Sequence, residues 1–355
     1  MQPDLIQILA SITNSLPVPI RGIIKLILSG PFIKAVVFPG ALFGIVLGLF
    51  AVWYERKILA RVMLRVGPLH VGKVSGILQL VADALKILSK ERIVPDVRNK
   101  ILFVVMPAIA LILSLLLFAF LPFGAGWIIY PSDIGLLLFF SILAISPIPI
   151  VLAGYAAGSK YPFIEINRFA LQLFGYEIPM FLSLTGVIIN ARSFDLVKIV
   201  EAQSVMPFIL PQFIGFIVFF ITMIAESERV PFDIPTAESE IVSGWHTEYS
   251  GVYFLMIQFT SYEKTLALCI LVSLIYLGGW HGPSIPFVPD TISAPFWVIL
   301  KALILFTILV IIRGAYPRLT IGKVLDLGWK YLIPLGFINL LLTVMLSALL
   351  NVITP

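Results

Sequence analysis

Eight apolar runs, each close to twenty residues long, recur near Ala35–Tyr54, Ile101–Leu121, Ile134–Tyr155, Leu171–Ile189, Met206–Ala225, Lys264–Trp280, Ala294–Arg313 and Tyr331–Leu350. A hydrocarbon core about 30 Å thick asks about twenty residues of a helix. Inside it, only a helix or a closed barrel satisfies its own backbone. The spacing predicts an all-α integral membrane protein with eight transmembrane helices. Composition agrees: 60% of the 355 residues are hydrophobic and 12% charged. Pro107, Pro147 with Pro149, Pro179, and Pro207 with Pro211 fall within these runs and predict several proline-broken spans.

The runs form a single membrane domain over 35–350. An interfacial segment over 1–34 precedes it, where Pro17, Pro19, Arg21 and Lys25 interrupt short apolar turns. No charged leader stands before its apolar part, so it does not read as a secretory signal. Within the first loop, Ile77, Leu78, Val81, Ala84, Leu85 and Leu88 share one helical face, with Gln79, Asp83, Lys86 and Lys90 on the other. That pattern predicts an amphipathic surface helix, lying on the membrane or packed on a partner subunit.

Cations concentrate in loops 56–100, 156–170, 226–263 and 314–330, from Arg56, Lys57, Arg61 and Arg65 through Arg318, Lys323 and Lys330. The opposite side holds Arg21, Lys25, Lys34, Arg192, Lys198 and, at a span edge, Lys301. Charge bias therefore predicts that the odd loops are cytoplasmic and that both termini face outward, in an inner or plasma membrane.

Several functions are disfavoured. Cys269 is the single cysteine, so this chain builds neither a disulfide nor a thiolate metal site. His70, His246 and His281 lie outside the apolar runs, which argues against haem ligation. No phosphate-binding or dinucleotide-binding glycine motif occurs, and nothing points to nucleic acid. The chain has no evident electron carrier, and any redox chemistry belongs to a partner.

What stands out is acid beside hydrocarbon. Glu226, Glu228, Asp233, Glu238, Glu240 and Glu248 follow the fifth run, interleaved with Arg229, Val230, Phe232, Ile234, Ile241 and Trp245. Ionisable residues in or near a membrane mark ion or proton paths. Glu238 and Glu240 also suit the first turn of a helix capped by Thr236, an ordinary structural use of acids. Glu165 and Arg168 can pair at i, i+3, and Arg168 can reach Gln172 at i, i+4. Glu177 sits roughly 13 Å deeper along the same helix than Arg168, with no cation near it in sequence. Such a carboxyl suits a proton relay. Glu55, followed by Arg56 and Lys57, reads as half of a surface ion pair.

These residues resemble a known family. Glu55-Arg56-Lys57, Arg65-Val66-Gly67-Pro68, Ala82-Asp83-Ala84-Leu85-Lys86, Gln172 with Tyr176-Glu177-Ile178-Pro179, and Glu201-Ala202-Gln203 resemble the H-type membrane subunit family of respiratory complex I. So do Ala225-Glu226 with Arg229 and Pro231-Phe232-Asp233, Glu238-Ser239-Glu240, Glu248-Tyr249-Ser250-Gly251, Arg313, Pro317-Arg318 and Leu327-Gly328-Trp329-Lys330. The resemblance implies a non-redox subunit at the junction of a peripheral electron-transfer arm and an ion-pumping membrane arm. Its partners would be iron–sulfur and hydrogenase-like subunits on the cytoplasmic side, antiporter-like membrane subunits, and lipid. This chain would bind no cofactor, the iron–sulfur clusters being the partners'.

By the same resemblance, an ion pathway would use Glu177, Glu226, Glu238 and Glu240, with Glu165 and Glu228 beside them. Arg65, Asp83, Lys86, Arg168, Arg229, Asp233 and Glu248 would line a chamber or hold partner loops. Lys73 and Arg92 depart from the family pattern in the loop that borders quinone access. The electron acceptor thus stays open between quinone, the phenazine of another relative, and the protons or sulfur compounds used by ferredoxin-driven hydrogenase and sulfur-reductase relatives. A passive anchor for the peripheral arm is the reading from another functional class.

Overall fold

The computed structural model describes residues 29–72, 75–96, 99–242, 244–284, 286 and 289–353. Most of the expected interfacial segment 1–34, and Lys73 in the first loop, lie outside the described residues. Every regular element among the described residues is a helix.

In chain order these are α1 (Gly30–Val36), α2 (Ala41–Val62), α3 (Gln79–Leu88), α4 (Lys100–Leu117), α5 (Gly135–Ile145), α6 (Pro147–Ala157) and α7 (Lys160–Ala191). Then come α8 (Leu196–Glu201), α9 (Phe213–Glu226), α10 (Glu238–Ile241), α11 (Gly251–Ile275), α12 (Asp290–Ala315), α13 (Ile321–Asp326) and α14 (Ile333–Ile353). Among the described residues, seven helical stretches are long and apolar enough to cross a membrane, and α9 is a shorter apolar helix in the place of the expected fifth crossing. At 14 residues, α9 is about 21 Å long, short of a bilayer core of about 30 Å. Proline sets that length. Pro207 and Pro211 precede α9 rather than bending it, because proline suits a helix start and clashes within one.

Elsewhere the prolines sit as the sequence implies. Pro107 and Pro179 lie inside α4 and α7. Pro147 opens α6 directly after α5, splitting the third crossing. Two starts are earlier than the apolar runs suggest: α7 begins at Lys160 and α11 at Gly251. Both therefore carry charged residues as part of the helix.

The hub is α11. From Lys264 to Ile275 every residue is buried, as expected of a helix that is apolar all round and surrounded by others. It packs against α4, α12 and α2. A second group forms around α7, which packs on α9 and α14. Outward-facing residues of α14, such as Leu341 and Met345, are exposed apolar side chains of the kind a lipid-facing surface carries. On α3, Val81, Leu85 and Leu88 are likewise exposed, so the amphipathic helix has no partner for its apolar face within the described residues.

Candidate functional site

The carboxylates are gathered where α7, α9, α11 and the segment after α9 meet. Gln172 on α7 builds the junction. Its side-chain amide donates to the carbonyls of Ala225 and Phe232, each at 3.0 Å. The first is a carbonyl at the C-terminal end of α9, where it also accepts the Glu228 backbone N–H at 3.2 Å. The bond therefore fixes the chain as it leaves α9 and brings the acidic segment over the end of the membrane helices.

Two charged groups result. In the first, Glu55 of α2 is 2% exposed and accepts from both Arg229 and Arg313. The expected surface pairing of Glu55 with its neighbours is wrong; Arg56 turns outward to Asp83 at 2.5 Å. Helical geometry explains this, since consecutive side chains point about 100° apart. Arg229, 5% exposed, lies over the Tyr262 ring at 4.4 Å from its centroid, a cation–π contact. Burial works against its charge, yet Glu55 and Tyr262 more than offset that and raise its pKa above the ordinary arginine value.

In the second group, Lys264 of α11 stands 3.5 Å from Glu226 and 3.3 Å from Glu228. Glu226 and Lys264 are buried rather than at a water boundary. Tyr176 and Glu177 lie within electrostatic reach of Glu226, and the Tyr176 hydroxyl is buried beside it.

A cavity of about 330 Å³ opens beside both groups, lined by Glu228, Arg229, Asp233, His246, Lys264 and Arg318 among others. Asp233 pairs with Arg318 at 3.0 Å. Thr236 donates to Asp233 instead of capping α10, whose N-cap is Ala237 with no side-chain cap. His246 is pushed down to about 4 by burial, so its imidazole is neutral at physiological pH.

Other residues fall differently from their expected pairings. Arg168 pairs with Glu240 rather than with Glu165 or Gln172. Glu165 is buried and accepts the Trp245 backbone N–H, while its other oxygen has no partner. Gly244 makes this approach attainable: its φ is +57°, and a Cβ there would overlap the Glu165 carboxyl. Arg65, Lys86 and Arg92 are exposed, Glu177 and Glu248 partly buried. The Glu238 side chain lies outside the described residues.

Sequence reasoning missed Glu55 and Glu263 as buried acids, and it missed Tyr262, Lys264, Arg313 and Arg318 as neighbours of the site. The signal was available for three of these. Tyr262-Glu263-Lys264 interrupts an apolar stretch that begins at Gly251, halfway along a helix of 25 residues.

A cluster of this kind is not there for stability. Buried ion pairs lose hydration worth several kcal/mol per ion, and well-packed apolar replacements are often neutral or stabilising. The arrangement can hold, exchange and shift charge beside a cavity with room for several waters.

The family model for NADH dehydrogenase matches residues 33–344, a range that includes every carboxylate named above. The chain belongs to the family of H-type membrane subunits of NADH–quinone oxidoreductase. Among family members, the second H-type subunit of Syntrophobacter fumaroxidans is 39% identical, covering 83% of this chain and 89% of that one. The H-type subunit of Dehalococcoides mccartyi is 38% identical over 88% of this chain and 86% of its own. That of Geobacillus thermodenitrificans is 37% identical, over 84% and 90%. The family resemblance read from the motifs therefore holds, and the chain is a multi-pass membrane subunit of this oxidoreductase type.

Proposed function

We propose that this chain couples electron transfer in a neighbouring iron–sulfur subunit to proton or sodium movement through its buried carboxylates. The observation that carries this reading is the single Lys264 ammonium shared between Glu226 and Glu228 beside the cavity. Two carboxylates and one cation leave one negative charge to be met by a mobile cation. A small movement of the ammonium toward Glu228 frees Glu226 to take up an ion, and the reverse movement releases it. Glu177 and Glu165 continue the path on α7, with Glu238 and Glu240 at its loop end. Arg168 and Asp233 position those loops, Arg229 supplies the fixed counter-charge, and Arg65, Asp83, Lys86 and Glu248 meet partner subunits.

In this reading the chain has no activity alone and binds no redox cofactor. Its first and later odd loops face the cytoplasm and the peripheral arm, and both termini face outward. The relatives' names favour a quinone as acceptor over a ferredoxin-driven, quinone-free complex. Substrate would approach near α3 and the cavity.

Glu226→Gln in the assembled complex, reconstituted in vesicles, tests the reading. Electron transfer from NADH to a quinone analogue is followed together with internal pH and sodium. Ion movement per electron should collapse in the variant. Undiminished transport at full electron flux would reject the pathway and leave the passive anchor.

A further inference from the structure

Glu263 lies at the middle of α11. It is 0% exposed, and neither carboxylate oxygen has a hydrogen-bond partner. Its surroundings are built from absent side chains. Gly44 and Gly48 stand one turn apart on α2, and the carboxyl occupies the space their side chains would take. A Cβ on Gly44 would lie 3.2 Å from one oxygen, and a Cβ on Gly48 would overlap the other. Leu115 and Phe118 border the same notch.

The neighbours on α11 turn elsewhere. Tyr262 faces Arg229 and Lys264 faces Glu226 and Glu228, whereas Glu263 does not line the cavity. The paired charges on the helices packed against α11 are held by other partners. Glu55 and Arg313 hold each other, Asp83 holds Arg56, and Lys100 holds Asp96. Lys198 holds Asp133, and Lys301 donates to three backbone carbonyls of 277, 279 and 281. No charged group bears on Glu263 from any of them.

We propose that Glu263 is a proton-binding site in the membrane interior, separate from the carboxylates that face the cavity. An ionised carboxylate without donor or counter-charge, sealed from water, is among the costliest arrangements a protein can hold. A partner subunit cannot supply the charge, because the side chain is fully enclosed. A sodium or calcium ion asks for several oxygen ligands, and this notch offers one carboxyl among apolar side chains. A proton needs only one oxygen. The site stands whether or not Glu226 carries ions.

Infrared difference spectroscopy on the assembled complex, wild type against Glu263→Gln, tests it at neutral pH in H₂O and D₂O. The expected result is the carbonyl stretch of a protonated carboxylic acid, shifted by deuteration and missing from the variant. Difference bands of an ionised carboxylate alone would overturn the proposal. If that variant fails to assemble, Glu263→Asp, which keeps the acid, replaces it. The deuteration-sensitive acid stretch should then persist at a shifted frequency. A spectrum in which no protonated-acid band moves with Glu263→Asp overturns the proposal.

Discussion

The two ends of α9 use polar groups in opposite ways. At its N-terminal end, Gln212, Asn339 and Thr343 join α9 to α14 by neutral hydrogen bonds: Asn339 donates to Gln212 at 2.8 Å and Gln212 to Thr343 at 2.6 Å. Asn339 accepts from the Gly215 backbone at 3.0 Å, so the amides are used on both sides. Gln203 nearby is equally saturated, donating to Leu274 and accepting from Phe208 and Gly278. About 21 Å away along the helix, Glu226 begins a region of carboxylates, arginines and a lysine, with unpartnered atoms on Glu165 and Gln172. Satisfied amides fix helices in place. Charges shared among too few partners, next to a cavity, can move. On the proposed function, this difference separates scaffold from working parts.

The sharpest way to break this comparison is to remove a fixed charge from the working end. Glu55→Ala leaves Arg229 and Arg313 without their carboxylate, Arg229 at only 5% exposure. Stranding a buried charge costs about 3–5 kcal/mol, so the complex should fail to assemble or lose most of its thermal stability on native gels. The double variant Glu55→Leu with Arg229→Met should recover much of that loss, since an apolar pair of similar bulk avoids the desolvation. No recovery would mean the pair is needed for more than charge balance. Next in size comes the scaffold end. Gln212→Leu strands Asn339 and Thr343 and should cost about 1–3 kcal/mol, read as a lower melting temperature. Ions moved per electron should stay unchanged. A fall in that ratio would erase the distinction between the two ends.

Much of this was legible in the chain, for reasons tied to particular residues. Apolar run length placed the crossings because lipid leaves the backbone few alternatives. The acidic stretch from Glu226 onward announced itself by its contrast with the flanking runs. What the sequence hid were pairings between distant elements. Glu55 looked exposed because Arg56 and Lys57 follow it, and only the rotation of α2 turns it inward to Arg229. Lys264 reads as the edge of a run, because a charge ordinarily limits a span; the helix starts at Gly251 and buries the lysine against Glu226. Thr236 had the right chemistry for a cap, but its hydroxyl found Asp233 nearer. Each miss is a case of tertiary contact outweighing a local rule.

A smaller effect tests whether the cavity wall is part of the working region. His246 has a folded pKa of about 4, below the unfolded value of about 6.5. As pH falls through that interval the unfolded chain takes up a proton that the folded one refuses. Stability is therefore complete above about pH 6.5 and declines toward pH 4, by about 1–2 kcal/mol at pH 5. His246→Phe, which cannot take up a proton, should lose that acid limb in thermal melts of the complex. An unchanged limb would mean His246 is hydrated through the cavity.

The smallest expected effect lies outside both regions, at Asp83. Its side chain is 30% exposed and its partner Arg56 48%, so the pair is worth less than about 1 kcal/mol. Burial pushes the Asp83 carboxyl up, but hydrogen bonds from Arg56 and Gln79 outweigh it and hold the carboxyl below its usual value. The stability it contributes is present above the unfolded carboxylate range and fades only in strong acid. Asp83→Asn should therefore lower the melting temperature slightly and by the same amount from pH 5 to 8, unlike the His246 variant. If turnover of the complex falls well beyond that small change, Asp83 acts through a partner subunit or substrate at the face of α3. The working region would then extend from the cavity onto the surface helix.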